Sequence, residues 1–199
     1  MKGRWPRVLA ALCLVLAGCA IPPAEPPLTS ALLDQMPADV PRHTPSGRTL
    51  LVFPPEARPG LDTQQMAYTQ RPHHLAYFAR HQWAETPPQM LQPLLVRTME
   101  ATGAFAAVVA PPHGTRATLG LRTEIVELVQ DFAPQPPVLR LSVRARIDDE
   151  EGGRVLGARD IALQEPMRDA TPAAGVQAAN EAMAKALREL ALFVLANTP

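Results

Sequence analysis

Between Val138 and Ile147 the chain alternates without a break. Leu139, Leu141, Val143, Ala145 and Ile147 fall on one side of an extended strand, and Arg140, Ser142, Arg144 and Arg146 on the other. A strand of this pattern has one face for a core and one for water. A sheet built around it therefore needs a second layer over its apolar side.

The flanking sequence supplies both. Asp148-Asp149-Glu150-Glu151-Gly152-Gly153 reads as a hairpin connection to a strand over Arg154–Leu163, and a long mixed strand is expected over Ala117–Leu128. Upstream, Thr49–Phe53 reads as a buried strand stopped by Pro54-Pro55. Met66–Gln70 and Leu75–Arg80 read as two short strands around Arg71-Pro72-His73-His74, and Phe105–Val109 as a strand ending before Pro111-Pro112.

Two segments have the helical period. Thr86-Pro87-Pro88-Gln89 has capping-box spacing with proline at the first helical position. Leu91, Leu94, Leu95, Thr98 and Met99 then share a face, and Gly103 is a natural stop. The second helix is expected from about Pro172, capped by Thr171, to Ala196, with Val176, Met183, Leu187, Leu190 and Val194 as its stripe. The fold class is α/β of the α+β kind: a single domain with a mixed β-sheet of about five to six strands and two main helices packed on it.

The N-terminus has a different logic. Lys2, Arg4 and Arg7 precede an uncharged apolar run over Val8–Ala17, the layout of a secretory signal peptide. The run is about half the roughly 20 residues that span a bilayer. It ends in Leu16-Ala17-Gly18-Cys19, which resembles the lipobox of bacterial lipoproteins. The resemblance implies removal of residues 1–18 by cleavage between Gly18 and Cys19, and lipid attachment at Cys19. Two or three acyl chains, at about 0.8 kcal/mol per buried CH2, make such an anchor effectively permanent. Ala20 follows the cysteine, where the lipoprotein sorting pattern has Asp for inner-membrane retention. The expected location is the outer membrane, on its periplasmic face.

Residues 19–47 read as a lipidated, proline-rich tether, with Pro22, Pro23, Pro26, Pro27, Pro37, Pro41 and Pro45. An extended tether of this kind reaches at most roughly 80 Å at about 3.1 Å per residue. Leu28–Met36 is a candidate helical turn within it. The folded domain is then residues 48–199.

Charge and cysteine content exclude several classes. The three basic residues of the leader leave with it, so 16 basic residues face 19 acidic ones, a net charge of −3. No basic run is present, and nucleic acid is not an expected partner. Cys13 lies in the leader and Cys19 becomes a thioether, so the mature chain has no thiol and no disulfide.

The stretch Tyr77-Phe78-Ala79-Arg80-His81-Gln82-Trp83-Ala84-Glu85 runs into Leu91-Gln92-Pro93-Leu94-Leu95 and Glu100-Ala101-Thr102-Gly103-Ala104-Phe105. An aromatic hairpin, a Trp-Ala-Glu lead into a capped helix and a Gly-x-Phe exit resemble the ABC-type transport auxiliary lipoprotein family, the PqiC-like proteins, over about 150 residues. The resemblance implies a non-enzymatic envelope component whose partners are an MCE (mammalian cell entry) domain protein, an ABC permease and an ATPase. Such systems move lipid or other apolar molecules between inner and outer membranes. The alternative class is a structural envelope lipoprotein that stabilises or activates another periplasmic complex.

Few residues are candidates for chemistry. His73, His74 and His81 lack metal-ligand spacing, and no metal or other cofactor is expected. There is no G-x-S-x-G elbow, and outside the tether the chain has only Ser142. No catalytic residue is assigned, and with no Walker lysine motif any ATP chemistry belongs to a partner. The candidate partner interface comprises Tyr68 and Tyr77 on the hairpin and the arginines Arg140, Arg144 and Arg146. The arginines could meet lipid phosphates or an acidic partner, or they could be a solvated face paired with acids such as Glu124 and Asp160. A homo-oligomer paired through the edge of the Met66–Arg80 hairpin is a further expectation.

Overall fold

The computed structural model describes residues 27–112 and 117–198. The leader and Cys19 lie outside them. The elements are β1 (Thr29–Ala31), β2 (Thr49–Val52), β3 (Glu56–Ala57), β4 (Gln65–Thr69), β5 (Ala76–Trp83), α1 (Pro87–Ala101), β6 (Ala107–Val109), β7 (Leu119–Asp131), β8 (Val138–Asp149), β9 (Arg154–Pro166) and α2 (Pro172–Ala196).

β7 is the spine of one mixed nine-stranded sheet. β8 runs antiparallel along its whole length, from Leu119↔Asp149 to Asp131↔Val138, and β9 lies antiparallel outside β8. The other side of β7 is shared in turn by three short parallel strands: β2 at Leu119–Leu121, β3 at Glu124–Ile125 and β4 at Gln130–Asp131. The breaks between them follow from sequence, because Pro54 and Pro55 cannot donate to a ladder. Phe53 N–H donates to Leu121 O at 3.0 Å before the break, and Arg58 N–H to Ile125 O at 3.2 Å after it. β6 lies outside β2, β5 outside β4, and β1 outside β5.

The alternation of β8 sorts as its sequence requires. Leu139, Leu141, Val143, Ala145 and Ile147 are all buried beneath the helices. α2 crosses β7, β8 and β9, and α1 covers β2, β3 and β6 and touches α2. α2 approaches closely because much of its packed face is alanine: Ala178, Ala179, Ala182, Ala186 and Ala191 are buried beside Met183, Leu187, Leu190 and Val194. Gly175 shows how close: a Cβ there would meet the Gln130 side chain of β7 at 2.0 Å. Both helix starts are capped. Thr86 N–H donates to Gln89 Oε1 at 3.0 Å, and Ala174 N–H donates to Thr171 Oγ1 at 3.2 Å. Gly103 takes φ +65° as α1 ends.

The strand count exceeds the expected five to six. Beyond the seven strand segments read from the sequence, the sheet adds β1 and β3, each too short to carry an alternation of its own. β1 also replaces the helical turn expected within Leu28–Met36. β5 is an edge whose backbone groups need partners, and β1 supplies them in parallel register, Thr29↔His81 to Ala31↔Trp83. From Thr29 onward the supposed tether is therefore packed on the domain. Leu33 is 3% exposed, and Ser46 N–H donates to Ala104 O at 2.8 Å.

Candidate functional site

The sheet face opposite the helices is open. Its polar side chains come from β7 and β8, and a register shift between Ile125 and Glu127 sets their pattern. A regular strand would turn Glu124 and Glu127 to opposite faces; the bulge puts both against the β8 arginines. Arg140 donates to Glu127 at 2.7 Å and pairs with Asp131. Arg144 reaches Glu124 at 3.2 Å and Asp160 of β9 at 3.0 Å. Arg146 meets Asp148 at 3.0 Å. Arg122 also pairs with Asp148 and reaches Glu150 at 2.8 Å.

The three candidate arginines thus share one face, as their spacing requires. They are not a bare cationic stripe, because the four arginines here face six carboxylates at hydrogen-bonding distance. Asp160 raises the Arg144 pKa, first through its hydrogen bond and then through its charge. The guanidiniums are held in place by their acids, an arrangement suited to a mixed-charge protein surface.

Sequence reasoning passed over Arg122. Its guanidinium lies 3.7 Å from the Phe53 ring centroid, a cation–π contact. Together they border a groove of about 560 Å³ lined by Pro54, Pro55, Arg144, Arg146 and Ala158. The signal was present in the alternation of Leu119, Leu121, Thr123 and Ile125, which turns Arg122 to the polar side.

The two tyrosines are engaged within the chain. The Tyr77 hydroxyl donates to Gly60 O at 3.0 Å. Tyr68 stacks on Phe78 with centroids 4.4 Å apart and meets Phe132 edge-on at 6.1 Å. Both are half-buried. Just beyond Met66–Arg80, the hairpin expected to pair subunits, the outer edge of β5 is occupied over His81–Trp83 by this chain's own β1.

His73 takes φ +64° in the turn, His74 Nδ1 lies 2.9 Å from Pro72 O, and His81 meets Phe78 edge-on. Among the described residues no three His, Cys, Asp or Glu side chains form a group that could hold a metal. No helix among them is long and apolar enough to cross a membrane. Gly18 and Cys19, the candidate cleavage and lipid sites, lie outside the described residues.

A mixed sheet with two helices on one face is a fold shared with known proteins. The family model for the ABC-type transport auxiliary lipoprotein component matches residues 31–191, and the chain belongs to that family. Protein XCC0632 from Xanthomonas campestris, of family-model DUF330, aligns with a TM-score of 0.71 at 23% identity, covering 85% of this chain and 93% of that one. The hypothetical protein CT253 from Chlamydia trachomatis aligns with a TM-score of 0.53 at 10% identity, covering 75% and 96%. At these identities the likeness is one of fold. No curated protein matches the chain significantly.

Proposed function

We propose that the mature chain is a lipoprotein anchored through Cys19 on the periplasmic face of the outer membrane, and that it is a non-enzymatic auxiliary component of an ABC transport system with an MCE-domain protein. The system would move lipid or another apolar molecule between the inner and outer membranes. The observation that carries this reading is the family match over residues 31–191. The ion-paired open face gives the role a surface: it is broad and polar, with its side chains already held in place. Arg144 and Arg146 stand exposed on it, and with Arg140, Tyr68 and Tyr77 they make up the proposed partner interface. Tyr68 and Tyr77 support the hairpin beside it.

Full-length chain, tagged at its C-terminus and extracted from the envelope in mild detergent, tests the reading. The expected co-purifying proteins are an MCE-domain protein with its permease and ATPase. Recovery of wall-synthesis or secretion proteins instead would favour the structural-lipoprotein alternative. Cys19→Ala should block incorporation of labelled fatty acid and leave the leader uncleaved, and undiminished label in that variant would refute the anchor.

A further inference from the structure

The segment before β2 is built as a strap across the domain. β1 pairs with β5, and the next residues cross both helices. Asn180 of α2 holds three strap backbone groups: its Oδ1 accepts from Asp34 N–H at 2.9 Å and Gln35 N–H at 3.1 Å, and its Nδ2 donates to Leu32 O at 2.9 Å. Leu33 is buried, with its N–H 3.4 Å from Met90 Sδ of α1. Asp39 then meets Arg188 at 3.1 Å, and His43 N–H donates to Thr102 O at 2.9 Å.

Extended-chain alternation follows from this seating. Ala31 and Leu33 turn inward, and Leu28 and Leu32 turn out, 58% and 52% exposed. They are two of the five exposed large apolar side chains among the described residues. Single exposed leucines are ordinary. Their position is not, because only nine residue steps separate Leu28 from Cys19. At no more than about 3.6 Å per residue those steps span roughly 30 Å, against the roughly 80 Å of a free tether.

We infer that the β1 edge is a membrane-docking edge, with Leu28 and Leu32 resting in the headgroup region of the bilayer that holds Cys19. The inference rests on acylation of Cys19 as proposed above. It orients the whole domain. β9 is the opposite edge, five strand spacings away, or about 24 Å at about 4.8 Å each. The strap keeps β1 towards lipid, and β9 and the far part of the open face point into the periplasm.

The mature chain has no free thiol, so a cysteine at position 32 or 155 can be labelled alone. Full-length, acylated Leu32→Cys and Val155→Cys proteins are coupled to a small fluorophore and placed on phosphatidylethanolamine–phosphatidylglycerol vesicles with brominated acyl chains. Acylation is read on the same samples by mass spectrometry. The label at 32 should be quenched at least twofold more than the label at 155, and adding Asn180→Ala should shrink that difference. If Asn180→Ala does not fold, the comparison of positions 32 and 155 still stands. Equal quenching in acylated protein would overturn the docking edge and leave the anchor intact. A mature chain without acyl groups would overturn the anchor and this edge with it. Shielding at 32 that needs no vesicles and grows with protein concentration would replace the bilayer with a second copy of the chain.

Discussion

Arg140 and Arg144 stand four residues apart on one face of β8, yet their surroundings differ. Arg140 bridges Glu127 and Asp131, whose side chain is only 11% exposed. Its removal leaves a largely buried carboxylate that still accepts from the Ala133 N–H at 2.9 Å but has lost its cation. Arg140→Ala should therefore cost about 1–3 kcal/mol, the desolvation of an unpaired charge. Arg144 and Asp160 are both mostly exposed, and water replaces that pair readily. Arg144→Ala should barely move the urea midpoint, and a loss equal to that of Arg140→Ala would contradict the reading. At this scale sequence was informative where alternation was regular. Glu124 and Asp160 stand out in the sequence as acids for the arginine face, and both meet Arg144. Glu127 and Asp131 do not stand out, because the bulge after Ile125 shifts the period and sequence alternation cannot register an extra residue.

Elements were legible in proportion to their length and punctuation. Both helices carry a cap, a proline near the start and a 3.6-residue stripe, and they form where those signals stand. β1 and β3 carry no such signal, since their pairing is decided by distant strands. Two elements make predictions. The first turn of α2 rests on Gln130, which is 2% exposed and has its Oε1 unpaired. Gly175→Ala would push a methyl group into that amide, which burial keeps from moving aside. It should cost about 1–3 kcal/mol by overpacking, read from thermal melting, and an unchanged melt would mean the helix sits further from the sheet. The β8–β9 turn is sensitive to acid. Gly152 N–H, then Glu151 N–H and the Arg154 charge hold the Asp149 carboxyl below its usual pKa, against a desolvation that raises it. A depressed folded-state pKa stabilises the fold above the unfolded value and loses that contribution as pH falls through the folded one. Wild type should thus exceed Asp149→Asn in stability at pH 7. The gap should close below about pH 4, and a gap that widened there would refute this assignment.

For the whole molecule, the boundary between tether and domain is the main revision. Prolines marked residues 19–47 as an extended tether, but a chain of that kind can also be a strand on an open edge, as Thr29–Ala31 is. A chain beginning at Ser46 lacks β1, Leu33 and the bonds to Asn180. It should still fold, with Ser46 Oγ donating to Ala104 O at 2.9 Å. Loss of Leu33 burial alone is worth about 1.5–3 kcal/mol. Its melting temperature should fall below that of a chain beginning at Leu28, and equal melting would mean the strap contributes nothing to the fold.

The central claim is that a lipid-anchored member of this family serves transport between two membranes. The most direct measurement is the rate at which pulse-labelled phospholipid passes between inner and outer membranes in cells lacking the chain. Complementation with wild type or with Cys19→Ala, at matched protein levels, completes it. The account predicts slowed transfer without the chain, recovery with wild type and none with Cys19→Ala. An unchanged rate in all of these strains would contradict a role in moving phospholipid.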